Sequence, residues 1–79
     1  MWHLKTKQGT FWIMPSMETQ SKYFFGVDNT ALGVYKDVAG AINDVRTQVT
    51  GHINWDCLLR VNAPSRVDDW ATGAPDDWK

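Results

Sequence analysis

The sequence has little of what would fix a function by itself. It contains one cysteine, Cys57, so an internal disulfide and a cysteine cage for zinc are excluded. A single cysteine fits a reducing compartment. No apolar run approaches the roughly 20 residues of a membrane-spanning helix, and the first residues lack the apolar core of a signal peptide. We therefore expect a cytoplasmic protein without a membrane segment.

Strong charge of either sign is also missing. The formal net charge is −1 over 79 residues, which gives no broad attraction to nucleic acid or to an anionic membrane. The charge is uneven, because residues 1–36 hold four lysines against Glu18 and Asp28, a net of +2. The remaining residues carry a net of −3.

Residues 32–51 organise the chain, because a strand pattern there runs through a turn into one amphipathic helix. Asp37 suits the N-cap position, where its carboxylate can accept hydrogen bonds from the free amides of the first turn. Gly51 suits the left-handed position after the last turn. A helix of about 13 residues is marginal alone, so its apolar face must dock on something. The apolar residues follow at steps of three and four: Val38, Ala41, Ile42, Val45 and Val49.

Three stretches before the helix have the composition of strands, at residues 10–14, 22–27 and 31–35. Asp28, Asn29 and Thr30 suit a tight turn, so the second and third strands form an antiparallel hairpin. The expected fold class is α+β, with a three-stranded antiparallel sheet packed on one helix. We expect one small domain over residues 1–79.

Both ends of this domain, residues 1–9 and 72–79, are expected to be loose, although the alternation of Trp2 and Leu4 also allows a short leading strand. After the main helix, a helical turn and a strand are equally consistent with residues 56–60. Ser65 is a candidate N-cap for a short helix that Trp70 anchors. These features predict a C-terminal wrap that contains a short helix.

Aromatic residues are abundant, with ten of them in the chain, more than one face of a small sheet needs. Side chains alternate between the two faces of a strand, so several aromatics are expected on the face away from the helix. An exposed apolar patch there would mark a contact surface. The other interpretation is that Trp55 and Trp70 fold over that face and cover it. The predicted contact surface consists of Trp12, Phe24, Tyr35 and Lys22.

No residues form a convincing catalytic or metal motif. His52 and Asp56 would meet on a helix, but they lack a third ligand. Cys57 and His52 would pair as nucleophile and base, but no pattern supplies an oxyanion hole or an orienting group. A lone cysteine beside apolar residues is typical of a small core side chain. We therefore expect no catalytic residue, no metal and no cofactor, and an enzyme is the least favoured class.

Two resemblances add to this interpretation. Phe11-Trp12-Ile13, Tyr23-Phe24, Leu32-Gly33-Val34-Tyr35, Thr50-Gly51 and Trp55-Asp56, with a final Trp70, resemble a group of short bacterial proteins of unknown function. That likeness implies a free-standing domain and no particular activity. Leu32 to Tyr35, followed by Asp37 and an alanine-rich helix, is similar to the third strand and helix of AP2-type DNA-binding domains. Those domains read DNA with basic and aromatic residues, whereas the three predicted strands hold only Lys22 as a base.

The leading functional hypothesis is a small non-catalytic binding protein that contacts another protein or a second copy of itself. Phages and mobile elements often encode small proteins of this type, including inhibitors of host defence. The alternative is nucleic-acid binding through the open sheet face, with Trp12 or Tyr35 stacking on bases. It requires four lysines to cluster on one side: Lys5, Lys7, Lys22 and Lys36. A third alternative is a protein whose activity cannot be read from its sequence.

Overall fold

The computed structural model describes residues 1–18, 21–59, 61 and 63–75. It confirms an α+β fold with an antiparallel sheet and one main helix. Four strands come first in the chain, followed by the helices and one short closing strand. The elements are β1 Trp2–Thr6, β2 Gly9–Pro15, β3 Tyr23–Val27, β4 Thr30–Tyr35, α1 Val38–Thr47, α2 Ile53–Asp56, a 3₁₀ helix Val67–Asp69 and β5 Ala71–Thr72.

The sheet has five strands, in the order β4-β3-β2-β1-β5, so the prediction of three strands was wrong. The first extra strand is β1, in the segment expected to be a loose end. It pairs with β2 from Trp2 opposite Ile13 to Thr6 opposite Gly9. Pairing with β2 satisfies the backbone of β1 and places its Trp2 against the core.

The second extra strand is β5, which pairs with β1 at the outer edge of the sheet. The backbone amide of Gly73 donates to the carbonyl oxygen of Met1 at 2.7 Å. This bond joins the start of β1 to the segment after β5. Thr72, the first residue of the expected loose end, is therefore paired, and residues 76–79 lie outside the described residues.

The predicted hairpin of β3 and β4 is confirmed. Val27 lies opposite Thr30, so only Asp28 and Asn29 form the loop, and Asp28 takes the left-handed conformation with φ 49°. The Asp28 carboxylate accepts from the amide of Thr10 at 2.9 Å. This bond ties the loop to β2.

Helix α1 begins as predicted, with the Asp37 carboxylate accepting from the Gly40 amide at 2.7 Å. It ends at Thr47 rather than near Gly51, because Gln48 takes the left-handed conformation with φ 60°. The Gln48 side-chain amide donates to the carbonyl oxygens of Trp55 at 3.1 Å and of Leu58 at 2.6 Å. These two bonds stabilise an early helix end that local sequence does not favour.

The described residues form one core, on the face of the sheet that carries α1. Trp55 and Trp70 belong to this core rather than covering the opposite face, as one interpretation of the sequence had expected. The Trp55 indole N–H donates to the carbonyl oxygen of Val45 at 2.9 Å. Its ring meets Phe11 edge-on, with the ring centres 5.1 Å apart. The buried members are Phe11, Ile13, Phe25, Val27, Ala41, Ile42, Val45, Trp55 and Trp70.

The C-terminal wrap holds a helical turn at each of two places. The first, α2, lies earlier than the turn considered around residues 56–60. The second is the 3₁₀ helix, which starts one residue later than predicted, since Arg66 rather than Ser65 occupies the cap position, without a side-chain cap bond. Trp70 anchors this segment as predicted and is 3% exposed.

Candidate functional site

The face of the sheet that turns away from α1 carries the most distinctive surface of the described chain. We call it the outer face. On it, Met14 lies opposite Phe24, and Phe24 lies opposite Val34, across three neighbouring strands. These three residues, which we call the outer row, are 38%, 37% and 54% exposed. Apolar side chains at this exposure in a continuous row form a patch of the kind that marks contact surfaces.

A groove of about 520 Å³ lies beside the outer row. Met17, on the loop after β2, is 99% exposed at its margin. Methionine side chains are flexible and adapt to differently shaped partners. The groove is lined by Met1, Met14, Pro15, Met17, Glu18 and Phe24.

Of the predicted contact residues, Phe24 lies in the outer row and Lys22 lies at its margin. Lys22 directly precedes β3 and is exposed, and its carbonyl oxygen accepts from the amide of Ser16 at 2.9 Å. Met14 and Val34 were not among the predicted contact residues. The signal for both was available, because they share the two-residue alternation of Phe24 once the hairpin register is known.

Trp12 lies on the outer face, but it is only 7% exposed. Its indole N–H donates to the carbonyl oxygen of Asp28 at 2.9 Å, and its ring lies directly against Gly26. A Cβ atom at Gly26 would be 2.2 Å from the Trp12 ring. Trp12 is therefore held against the sheet, and the exposed patch lies beside it.

Tyr35, also predicted for the contact surface, is on the other face. Its hydroxyl donates to the Asp44 carboxylate of α1 at 2.5 Å, and its ring meets Phe25 edge-on. Burial, followed by the hydrogen bond to Asp44, raises the pKa of Tyr35 above its ordinary value. Tyr35 shares the face of Phe25 because it lies two positions from Gly33, the partner of Phe25 in the hairpin.

The four lysines of the nucleic-acid alternative do not gather on one side. Lys5 lies opposite Thr10, and Lys7 follows in the adjacent turn. Lys22 and Lys36 flank β3 and β4 at the other end of the sheet, where Ser16 ends the pairing of β2. Thr10 and Ser16 are six residue steps apart along the strand, or about 20 Å.

Two residues of the catalytic and metal alternatives, His52 and Asp56, contact backbone groups instead. The Asp56 carboxylate accepts from the Thr50 amide at 3.0 Å and the Gly51 amide at 2.8 Å, and from the Thr50 hydroxyl at 2.7 Å. His52 Nε2 lies 2.8 Å from the carbonyl oxygen of Gln8. Cys57 is exposed. Among the described residues, no group of three or more His, Cys, Asp or Glu is placed to hold a metal ion.

A second concavity, of about 620 Å³, lies between β1 and the segment after α2. Its apolar lining comes from Leu4, Trp55, Leu58, Val61 and Pro64. Its polar lining comes from β1 and the following turn, at Lys5, Thr6, Lys7 and Gln8.

Fold and surface together define a class: a small α+β domain with one face of its sheet covered and an apolar row on the other. Comparison of the chain with protein-family models, with curated proteins and with solved structures gave no match. The resemblances to short bacterial proteins and to AP2-type domains therefore stay predictions. No helix in the described part of the chain is long and apolar enough to cross a membrane.

Proposed function

We propose that this chain is a small non-catalytic binding protein that contacts another protein chain through the outer face of its sheet. The observation that carries the proposal is the outer row of Met14, Phe24 and Val34, exposed beside a groove of about 520 Å³. Burying such a row against a partner would remove apolar surface from water. Each Å² of that surface would favour binding by about 25 cal/mol. A sheet face that stays in contact with water is expected to carry polar side chains, so an apolar row there supports the proposal.

The non-catalytic part of the proposal has its own support. His52 and Asp56 are both engaged with backbone groups, as described above, so neither is placed to act on a substrate. A half-buried carboxylate that accepts hydrogen bonds from two backbone amides is typical of a structural role. The cytoplasmic location and the phage or mobile-element setting remain predictions.

Nucleic-acid binding is less well supported than protein contact. Phosphate binding gains from several lysines or arginines along one path, but the lysines lie in two pairs at opposite ends of the sheet. Tyr35 faces the core, and the hydrogen bond to Asp28 holds the Trp12 ring against the sheet. Neither ring is therefore available for stacking on bases.

Site-specific photocrosslinking tests the proposed function. A benzophenone amino acid replaces Phe24 in the full chain, which is expressed in the cells that make it and then irradiated. The matched control carries the same group at Asn43, an exposed position of α1. We expect a discrete adduct from position 24, to another protein or to a second copy, and none from position 43.

Mass spectrometry of the adduct identifies the partner chain. The adduct should disappear when Met14 is also changed to Asp, since a charge in the outer row repels an apolar partner. No protein adduct at position 24, or equal adducts at both positions, would contradict the proposal. An adduct to nucleic acid alone would favour the alternative.

A further inference from the structure

All three methionines of the chain, Met1, Met14 and Met17, line the groove beside the outer row. Met14 belongs to β2, and Met17 follows two residues after that strand ends. In the ladder between β1 and β2, Trp2 lies opposite Ile13, so one further step along this register places Met1 opposite Met14. Every thioether group of the protein is therefore gathered on one surface.

Two of these side chains are open to small molecules in solution. Met17 is 99% exposed and Met14 is 38% exposed, whereas Met1 is half-buried. Peroxides oxidise methionine to the sulfoxide where the sulfur is accessible. The exposed fractions therefore predict that Met17 reacts first, roughly two to three times faster than Met14, and that Met1 reacts last.

The reaction turns an apolar thioether into a polar sulfoxide. A lone pair on the sulfur attacks one oxygen of hydrogen peroxide, so that a sulfur–oxygen bond forms and the oxygen–oxygen bond breaks. The hydroxide that leaves takes the proton of the new S–OH group and becomes water. The sulfur is oxidised by two electrons and the peroxide is reduced by two. Methionine sulfoxide reductases reverse the change.

The two positions differ in what a sulfoxide would do to the outer face. Met14 lies opposite Phe24 in the outer row, so a partner that covers the row would also cover a sulfoxide at position 14. Burying a polar oxygen against apolar groups is unfavourable because the oxygen loses its hydrogen bonds to water. A sulfoxide on Met17, at the margin of the groove, stays in water. Position 14 therefore has the larger effect on contact.

We propose that Met14 and Met17 form a reversible oxidation site that controls the contact made by the outer face. The reduced chain binds its partner, and the oxidised chain does not. Met14 reacts in the free chain, since a bound partner would cover the outer row. The fold is kept, because neither side chain belongs to the core. The inference rests on the proposed function, since oxidation interrupts the contact proposed there.

The first test follows the oxidation of the full, folded chain by hydrogen peroxide. Cys57 is exposed and also reacts with peroxide, so the chain carries Cys57→Ser throughout. Tandem mass spectrometry of peptides should show sulfoxide at Met17 first, at Met14 second and at Met1 last. Circular dichroism should not change. A chain in which Met14 reacts last, or which unfolds when Met14 is oxidised, would overturn the inference.

The second test measures contact with the photocrosslinking group at position 24. The purified chain is oxidised, separated from peroxide, added to a lysate of the cells that make it and irradiated. The yield of the adduct should fall at least about tenfold relative to the untreated chain. Treatment with reductases for both sulfoxide epimers should restore it.

Matched variants assign the effect to one residue. Met14→Leu has no sulfur, so peroxide should leave its adduct yield at the level of its own untreated sample while Met1 is still unreacted. Met17→Leu keeps the sulfur at position 14, so peroxide should lower its yield. Met14→Gln carries a permanent polar group in the outer row and should give a low yield without peroxide.

The outcomes separate this inference from the proposed function. No adduct from the untreated chain overturns the proposed function and the inference with it. An adduct that oxidation of Met14 leaves undiminished overturns the inference alone. Equal losses in Met14→Leu and in Met17→Leu also overturn it, because the sensitive group then lies elsewhere. A loss that the reductases reverse and that Met14→Leu prevents supports the inference.

Discussion

The two faces of the sheet differ sharply over one residue step. Phe25 is 1% exposed on the face that carries α1, and its neighbour Phe24 is 37% exposed on the outer face. Ile13 and Met14 repeat the contrast, at 0% and 38%. The side chains compared are apolar on both faces, so the covering layer of α1, α2 and the C-terminal segment makes the difference. The proposed contact surface is the face that this layer leaves uncovered.

The largest expected effect on stability comes from removing the buried ring of Phe25, on the covered face. Phe25→Ala should lower the free energy of unfolding by about 3–5 kcal/mol, because it leaves a cavity among Phe11, Tyr35 and their neighbours. Phe24→Ala is the matched control and should cost about 1 kcal/mol or less. Urea denaturation followed by tryptophan fluorescence measures both. Equal losses would show that the two faces are equally important to stability.

The next effect concerns Trp12, the exception on the outer face. Gly26→Ala should destabilise the domain by about 1–3 kcal/mol, since the new Cβ would clash with the Trp12 ring and with the Thr30 carbonyl oxygen. Gly33→Ala is the control, because a Cβ there would meet the Tyr35 ring at an ordinary 3.6 Å. Thermal unfolding measures both stabilities, and near-UV circular dichroism detects a displaced indole. A Gly26→Ala variant as stable as Gly33→Ala would contradict the close packing of Trp12 against Gly26.

The covering layer has its own polar anchor in Asp56. Asp56→Ala should cost about 2 kcal/mol, because the amides of Thr50 and Gly51 and the Thr50 hydroxyl lose their acceptor. Asn54→Ala, at an exposed site of the same short helix, should change stability by about 0.5 kcal/mol at most. The denaturant midpoints of the two variants, compared at equal m-values, measure the stability that each substitution costs. If the two variants match, the loop is held by other contacts.

The smallest effect is at Tyr35, where the sheet meets α1. Tyr35→Phe should cost about 1 kcal/mol at neutral pH by removing the hydrogen bond to Asp44. Because the folded-state pKa of Tyr35 is raised above the unfolded value of about 10, the wild type loses stability as pH rises beyond that value. The variant lacks this titration, so its stability should fall less steeply between about pH 9 and 11.

Unfolding measured at several pH values gives the pH dependence of stability for both proteins. Parallel slopes would mean that Tyr35 titrates at its ordinary pKa, and the bond to Asp44 would then be weak in solution.

Local patterns in the sequence determined the start of α1 at Asp37, the β3–β4 hairpin and the amphipathic face of the helix. Each depends on residues a few positions apart, where capping, turn geometry and helical spacing act directly. These local interactions also allowed a short leading strand, but they could not establish that it forms. β1 becomes stable only by pairing with β2 and β5.

Tertiary structure alone decided which face became the covered one. Trp55 and Trp70 were equally able to cover either side by composition. Their place in the core follows from bonds to distant groups, such as that from Trp55 to the Val45 carbonyl oxygen. The outer row emerged in the same way, since Met14, Phe24 and Val34 meet only when three strands take one register. Long-range pairing sets that register, and no local propensity encodes it.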